Sequence, residues 1–202
     1  MPRLRELTQP RQLLVEGKDI EGVFGELADA SNLSDIQIQD FGGVAELRSF
    51  LKALRLSPAF ASTVRSIGIV RDAETNAGDA FRSVSNALRD ADLPVPTKPK
   101  EPSAADPRVT VLILPDCANP GMLEDLCLRA VASDPALVCV DAYIECIQER
   151  GIAVRNVSKS RAQTFLASRD RPGLTVGIAA RVGYWPWTSA VFDDAREFLK
   201  RF

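Results

Sequence analysis

The sequence predicts an α/β fold in which a mainly parallel sheet is flanked by helices, with further helices added at the C-terminal end. Short apolar strands alternate with helical patterns, which is the arrangement that produces parallel β-α-β units. The clearest strand, VTVLIL at 109–114, is apolar throughout, and this indicates burial on both faces as in a parallel sheet. No internal repeat is visible.

The individual elements follow from apolar periodicity and from the residues that begin and end helices. Strands are predicted at 13–15, 34–40, 66–71 and 109–114. Helices are predicted around 23–27, 44–54, 81–88 and 122–128, then from Asp134 to about Gly151, from Ser158 or Ser160 onward, and over 193–202. Five prolines between residues 93 and 108 predict a surface loop, because proline has no N–H to donate to a sheet or helix.

The bulk composition is that of one globular domain over residues 1–202, with an N-terminal tail at 1–10. Hydrophobic residues make up 46% and charged residues 26%. No apolar run approaches the roughly 18 residues that cross a bilayer, and the N-terminus lacks the apolar core of a secretory signal. These features are typical of a cytoplasmic protein with no membrane partner. The net charge of −2 argues against a non-specific nucleic-acid coat, but not against an acidic nucleic-acid enzyme.

The chain contains no histidine, which excludes Ser-His and Cys-His catalysis and histidine-bound zinc. Its cysteines form no CxxC pair and have no zinc-like spacing. Cys139 and Cys146 are seven residues apart in a helical pattern and are therefore predicted on one apolar face. We expect the thiols, Cys117, Cys127, Cys139 and Cys146, to be buried structural residues rather than nucleophiles.

Acidic residues follow the predicted strands at the edge where parallel sheets bind ligands: Glu16, Asp40, Asp72, Glu74 and Asp116. Helix capping explains Asp40 best. For the others together, a metal-binding cluster is the better explanation, and Asp72 and Glu74 project the same way if the strand geometry persists. Without histidine or cysteine ligands, such a cluster is expected to bind Mg²⁺ or Mn²⁺, the ions of phosphoryl chemistry.

Three motifs resemble the Toprim domain, the metal-binding fold of topoisomerases, bacterial primases and the overcoming-lysogenization-defect (OLD) nucleases. They are LLVEGKD at 13–19, FGG at 41–43 and IVRDAE at 69–74. The remainder resembles a standalone Toprim-like family of unknown function related to the OLD nucleases, through VRDAE at 70–74, LPD at 114–116, PGMLEDL at 120–126, SKSRAQTFLAS at 158–168 and GYWPW at 183–187. The resemblance covers about residues 11–202, and VEGKD and LPD…PGMLED are more specific than DxE alone.

The resemblance implies that Glu16, Asp72 and Glu74 bind divalent ions, because Toprim domains place a glutamate after the first strand and an acidic pair after the third. The candidates for the remaining ligands are Asp116, Glu124 and Asp125. Of the two neighbours in PGMLEDL, we expect Glu124 to reach the site and Asp125 to complement the helix dipole.

OLD-type nucleases also use a late lysine to stabilise transition-state charge, which implies Lys159; a solvated surface lysine is the alternative. Two departures from the family pattern stand out. The usual Asp-x-Asp is Asp-x-Glu here, and Ile20 occupies a position where many relatives carry an acid, with Asp19 and Glu21 on either side. If that acid completes a second metal site, a one-metal or non-catalytic protein is favoured.

The leading hypothesis is therefore a Mg²⁺- or Mn²⁺-dependent phosphodiester hydrolase acting on nucleic acid, with Glu16 and Lys159 in catalytic roles. One alternative is a non-catalytic or conditionally active subunit that partners a separate ATPase, because the chain contains no GxxxxGK[ST] motif. A small-molecule phosphoesterase is the other.

Two further features allow alternative interpretations. Arg71 either neutralises a phosphate or pairs with an acid of the site. The aromatic residues Tyr184, Trp185 and Trp187 are expected to pack in the core rather than stack on bases.

Overall fold

The computed structural model of the chain describes residues 4–202 and contains a four-stranded sheet in the order β2-β1-β3-β4. All neighbouring strands are parallel. The strands are β1 (Arg11–Val15), β2 (Ile36–Asp40), β3 (Ser66–Asp72) and β4 (Arg108–Leu114). The parallel, helix-flanked sheet confirms the predicted fold class, and it brings the carboxyl ends of β1 and β3 side by side.

Nine α-helices and one short 3-10 turn, Ala190–Phe192, surround this sheet within the described residues. The helices are α1 (Lys18–Ala30), α2 (Val44–Leu56), α3 (Phe60–Thr63), α4 (Ala77–Arg89), α5 (Leu123–Ala130), α6 (Pro135–Glu149), α7 (Val157–Ala167), α8 (Val176–Arg181) and α9 (Asp193–Arg201). Only α3 and α8, of four and six residues, were not predicted from the sequence. Over residues 4–202, no helix combines the length and apolarity needed to cross a bilayer.

Each face of the sheet is covered by its own hydrophobic core. In β3, Ile67 and Ile69 lie in the core formed with α2 and α4, whereas Val70 lies in the core formed with α1, α5, α7 and α9. Cys127 is fully buried in the latter core, as predicted. Because successive strand residues point to opposite faces, this alternation fixes the side of the sheet to which each residue at the end of β3 projects.

The two edges of the sheet are bordered by non-helical chain. The predicted loop at 93–108 runs beside β4, where the backbone N–H groups of Lys100 and Ser103 donate to the carbonyls of Val111 and Val109, each at 2.8 Å. The predicted tail at 1–10 lies partly outside the described residues. Its described part borders β2, and the carbonyl of Glu6 accepts a hydrogen bond from the Gln37 amide at 2.7 Å. Covered edges protect a sheet from pairing with other chains.

Helices α1 and α8 approach each other closely through two glycines. A Cβ atom on Gly22 would lie 2.7 Å from the carbonyl oxygen of Gly177, and a Cβ on Gly177 would lie 2.8 Å from the Cα of Asp19. Only glycine allows backbones this close. The contact brings the start of α1 against the start of α8, next to the carboxyl edge of the sheet.

The C-terminal aromatic residues pack as predicted. Trp185 is 1% exposed, stacks on Phe165 with ring centroids 6.1 Å apart, and donates from Nε1 to the carbonyl of Val176 at 3.0 Å. Trp187 lies against Phe192, with ring centroids 5.1 Å apart. These contacts join α7 to α8 and attach the segment after α8 to the 3-10 turn that precedes α9.

The prediction that Cys139 and Cys146 are buried is wrong for Cys139, which is exposed, and Cys146 is only half-buried. The core side of α6 is formed by Leu137, Val140 and Ile144. At 100° per residue, both cysteines share one side of the helix as expected, but it is the side opposite these three residues.

Candidate functional site

Three hydrogen bonds join the carboxyl end of β3 to the beginning of α5, two between backbone groups and one from a backbone N–H to a side chain. Glu74 and Gly121 exchange N–H···O bonds in both directions, each at 2.9 Å. The N–H of Leu123 donates to Oδ1 of Asp72, also at 2.9 Å. These bonds hold the first turn of α5 beside the strand end, and so bring Glu124 close to Asp72.

Asp72 and Glu124 form the electrostatic centre of the site. Glu124 is only 7% exposed. Burial, followed by the charges of Glu124 and Glu16, raises the pKa of Asp72 to about 8. Burial also raises the pKa of Glu124, to which the charge of Asp19 contributes. A place where burial and neighbouring negative charges raise the pKa of carboxyl groups is suited to a cation.

Lys159 lies on the first turn of α7 and faces this pair. The Asn156 side chain caps α7 by accepting the Lys159 N–H at 2.8 Å. The Ser158 hydroxyl donates to Oδ1 of Asp125 at 2.7 Å, which links α7 to α5. The charge of Lys159 lowers the pKa of both Asp72 and Glu124. The structure therefore brings the predicted lysine within electrostatic range of two predicted acids.

Asp19 is a member of this group that sequence reasoning placed only beside the unusual Ile20. Its Oδ1 accepts the N–H of Gly177 at 2.8 Å, and its charge acts on Glu124. Ile20 itself is 2% exposed and belongs to the core. Glu21 is turned away and pairs with Lys18 at 2.8 Å. Asp19 is brought to the site by the close approach of α1 and α8, and the apolar periodicity of the sequence does not reveal that contact.

Glu16 lies on the other side of the sheet edge, together with Arg71. The alternation along β1 and β3 directs both side chains toward the α2 face, whereas Asp72 projects to the α1 and α5 face. Oε2 of Glu16 is 3.5 Å from Nε of Arg71. Burial raises the pKa of Glu16, the Arg71 charge opposes that rise, and the Glu74 charge adds to it.

Glu74 does not continue the strand. Its φ of 53° lies in the left-handed region, and its side chain is exposed. Asp72 and Glu74 were expected to project the same way only if the strand geometry persisted, and that condition is not met because the strand ends at Asp72. Glu74 acts electrostatically on Glu16 across the edge.

The carboxylate of Asp116 is bound by its own loop. It accepts the N–H groups of Ala118 at 3.1 Å and Asn119 at 2.8 Å, and pairs with Arg129 at 2.7 Å. Burial would raise the pKa of Asp116, but the hydrogen bonds from Arg129 and Asn119 outweigh burial and hold it well below its ordinary value.

Two other acids at this edge also bind backbone N–H groups. Asp125 accepts the Met122 N–H at 2.9 Å, which caps α5 as expected. Asp40 accepts the N–H groups of Gly17 at 2.9 Å and Gly42 at 2.7 Å. It therefore stabilises the chain between β2 and the two neighbouring helices, but the prediction that it caps a helix is wrong, because neither α1 nor α2 has a side-chain cap at its N-terminus.

Comparison with known proteins shows the family of the chain. Residues 10–202 match the model of a protein family of unknown function, DUF3226. The chain belongs to this family. A search of curated proteins found no match.

Two solved structures share similarity with this DUF3226 chain. Both are of the C-terminal region of the OLD protein of Xanthomonas campestris pv. campestris, one phased with mercury and one with platinum. Each has 15% sequence identity and a TM-score of 0.40; the matches cover 98% and 96% of this chain and 88% and 84% of the OLD regions. A TM-score this low does not establish a common fold, so the fold class depends on the sheet itself.

The carboxylate oxygens of the site are the kind of ligand that a hard divalent ion prefers, but they are too few to surround an ion completely. Within residues 4–202, no three aspartate, glutamate or cysteine side chains are gathered closely enough to hold a metal ion by themselves. The available group is the pair Asp72 and Glu124, with Asp19 acting on Glu124. Mg²⁺ is commonly bound by one or two carboxylates while it keeps several waters and binds substrate phosphates. The pair fits this mode of binding.

Proposed function

We propose that the chain is a divalent-metal-dependent phosphodiester hydrolase that acts on nucleic acid, with chemistry of the Toprim type. The observation that carries the proposal is the grouping of the half-buried Asp72 with the buried Glu124, whose charge acts on Asp72, while the charge of Lys159 acts on both acids. They lie at the carboxyl edge of a parallel sheet, where α/β proteins bind ligands. The VEGKD and DAE motifs, which resemble those of Toprim nucleases, support the same function.

In this proposal Asp72 and Glu124 hold Mg²⁺ or Mn²⁺. When bound, the ion would supply positive charge to polarise a phosphoryl oxygen. The absence of histidine leaves carboxylate oxygens as the donors, and these favour such hard ions over zinc. Because the pKa of Asp72 lies near 8, ion binding at neutral pH releases a proton from this carboxyl.

Glu16 and Lys159 take the remaining roles. Glu16 is the acid across the sheet edge, and its Oε2 has no hydrogen-bond partner. Its raised pKa makes it a stronger base than an ordinary glutamate, which suits it to accept a proton from the attacking water. Lys159 is exposed, so its ammonium group can contact a bound phosphodiester and offset the negative charge that develops there.

The test is nicking of supercoiled plasmid with Mg²⁺ or Mn²⁺ by the wild type, Asp72→Asn and Asp116→Asn. The last is a matched control, because it changes an acid at the end of the neighbouring strand whose oxygens are already bound. We expect metal-dependent nicking by the wild type and Asp116→Asn, and none by Asp72→Asn. Nicking that persists in Asp72→Asn would refute the proposal. Turnover of nucleotides or simple phosphoesters, without cleavage of DNA or RNA, would favour a small-molecule phosphoesterase.

A second candidate function is that of a non-catalytic or conditionally active subunit of a separate ATPase. It is favoured by the lack of a three-acid group in the described residues and by the burial of Ile20 where many relatives carry an acid. Copurification with an ATPase from the native cell, with no cleavage until the ATPase is added, would support it. Cleavage by the isolated chain at full rate would contradict it.

A further inference from the structure

Arg71 is a buried cation, and two of its three guanidinium nitrogens are unpaired within the described part of the chain. The residue is 5% exposed, and its Nε and Nη1 atoms have no hydrogen-bond partner. Over residues 4–202 its one ion-pair contact is with Oε2 of Glu16 at 3.5 Å, and that oxygen also lacks a hydrogen-bond partner there. The guanidinium is therefore placed in the site without serving the packing of the fold through hydrogen bonds.

A guanidinium is charged at every accessible pH, so it cannot avoid the cost of burial by losing its proton. Burying such a charge requires an opposite charge nearby. The nearby anion is Glu16, and the direction of the effect is visible in the pKa of Glu16, which the Arg71 charge lowers against burial. Arg71 and Glu16 thus form a charge-compensated half of the site.

Among residues 4–202, the other half has no cation of comparable burial. Asp72 and Glu124 face Lys159, which is exposed and can move away, and the Asp19 charge adds to theirs. Glu16 and Arg71 project to the α2 face, whereas Asp72 projects to the α1 and α5 face. The negative charge of Glu16 is therefore balanced by a buried cation, whereas the charges of Asp72 and Glu124 are not.

We propose that the guanidinium of Arg71 takes the place of a second metal ion beside Glu16. The site would then bind a single divalent ion, at Asp72 and Glu124. This inference rests on the proposed function and narrows it. A divalent ion bound to Glu16 would lie within a few ångströms of the buried guanidinium, and like charges at such distances repel strongly where water is excluded. Arg71 also keeps Glu16 oriented, which makes it a positioning residue.

The test is titration of Mn²⁺ into the metal-free protein, with the number of bound ions measured by equilibrium dialysis and their environment by electron paramagnetic resonance. We expect the wild type to bind one ion with the spectrum of an isolated Mn²⁺. We expect Glu16→Gln to bind one ion with a Kd within about threefold of the wild type, and Asp72→Asn to bind none. These results do not depend on turnover.

Variants of Arg71 test the cation directly. Arg71→Gln frees Glu16 and is expected to bind a second ion, which would give the spectrum of two coupled Mn²⁺ ions. Arg71→Lys keeps the charge and is expected to bind one ion, like the wild type. Arg48→Gln is the matched control, because it removes an exposed arginine that pairs with Asp90 on the outer helices. Circular dichroism and melting curves show which variants are folded. If Arg71→Gln is not folded, the wild type and Glu16→Gln still decide the question.

The outcomes separate this inference from the proposed function. Two ions bound to the wild type, or loss of the single ion in Glu16→Gln, would overturn the role of Arg71 and leave a metal-dependent hydrolase possible. No ion bound to the folded wild type would overturn the metal-dependent function, and the role of Arg71 with it.

Discussion

Asp72 and Asp116 end neighbouring parallel strands and were both predicted as metal ligands, yet their surroundings are opposite. Asp116 accepts two backbone N–H groups and an arginine, and its pKa is held well below the ordinary value. Asp72 accepts one backbone N–H, and its pKa is raised to about 8 by burial and neighbouring acids. Position at a strand end is therefore not enough to identify an acid as a metal ligand. The supply of donors from the following loop decides whether an acid stabilises the fold or remains available to a ligand.

The same contrast recurs between adjacent residues of α5. Asp125 binds the Met122 N–H and the Ser158 hydroxyl, so it fastens the helix to its surroundings. Glu124 is buried beside Asp72 and within the charge field of Lys159. One residue of rotation along a helix is about 100°, which separates a capping acid from a ligand candidate.

The largest expected effect is on activity and comes from this neighbouring pair. Glu124→Gln removes one of two proposed ligands and should lower the rate of metal-dependent nicking by about 100-fold or more. Asp125→Asn should keep the nicking rate within about threefold of the wild type but lower the free energy of unfolding by about 1 kcal/mol, because a helix cap is weakened. Plasmid nicking and urea unfolding measure the two quantities. Equal losses of activity in both variants would show that the contrast is not functional.

A smaller effect on activity is expected for Lys159→Gln. Loss of one exposed positive charge facing the acids should lower kcat by roughly tenfold, and Lys159→Arg should restore most of it. Lys200→Gln, which changes a lysine in the last turn of α9, is the control and should leave the rate unchanged. A wild-type rate for Lys159→Gln would identify Lys159 as an ordinary surface lysine.

The pH dependence of stability provides the next test. A carboxyl whose folded pKa is raised from 3.8 to about 8 favours folding fully below about pH 4, and this contribution is lost as the pH rises through 8. In metal-free buffer, Asp72→Asn should therefore melt at a higher Tm than the wild type at pH 9, by roughly 3 °C or more, with the difference shrinking toward pH 4. Calorimetric scans across this range measure it. A difference that is constant or grows toward low pH would contradict the burial of an uncompensated acid.

Asp116 should show the smallest effect, and one of stability alone. Asp116→Ala removes the two loop hydrogen bonds and the pair with Arg129, and should lower the free energy of unfolding by about 1–2 kcal/mol. Asp116→Asn should recover part of this loss, because its side-chain oxygen still accepts the loop N–H groups. Urea unfolding gives both values. If Asp116→Asn loses most of its nicking activity while it remains stably folded, Asp116 is a residue of the functional site.

The regular part of this fold could be predicted because burial imposes a period on it. All strands of the observed sheet and every helix of eight residues or more were predicted, either from apolar spacing, as in VTVLIL at 109–114, or from residues that begin and end helices. Helix α8, with six residues, is too short to show a period. The outward position of Cys139 was missed because spacing shows which residues share a face of a helix and not which face is buried.

The site was predictable in location but not in detail. Periodicity ends where the strand ends, so the positive φ of Glu74 and the engagement of Asp116 by Arg129, thirteen residues later, leave no pattern in the sequence. The role of Asp19 depends on where α1 begins and on Gly177, which is distant in the sequence. Glycines that allow two helices to touch are the signal that could have indicated it.

The most direct test of the central claim is calorimetric titration of Mn²⁺ and Mg²⁺ into the wild type, Asp72→Asn and Asp116→Asn. The account predicts that the wild type and Asp116→Asn bind one ion with similar affinity and that Asp72→Asn binds none. Binding that survives in Asp72→Asn but is lost in Asp116→Asn, or that is absent from all three folded proteins, would contradict it.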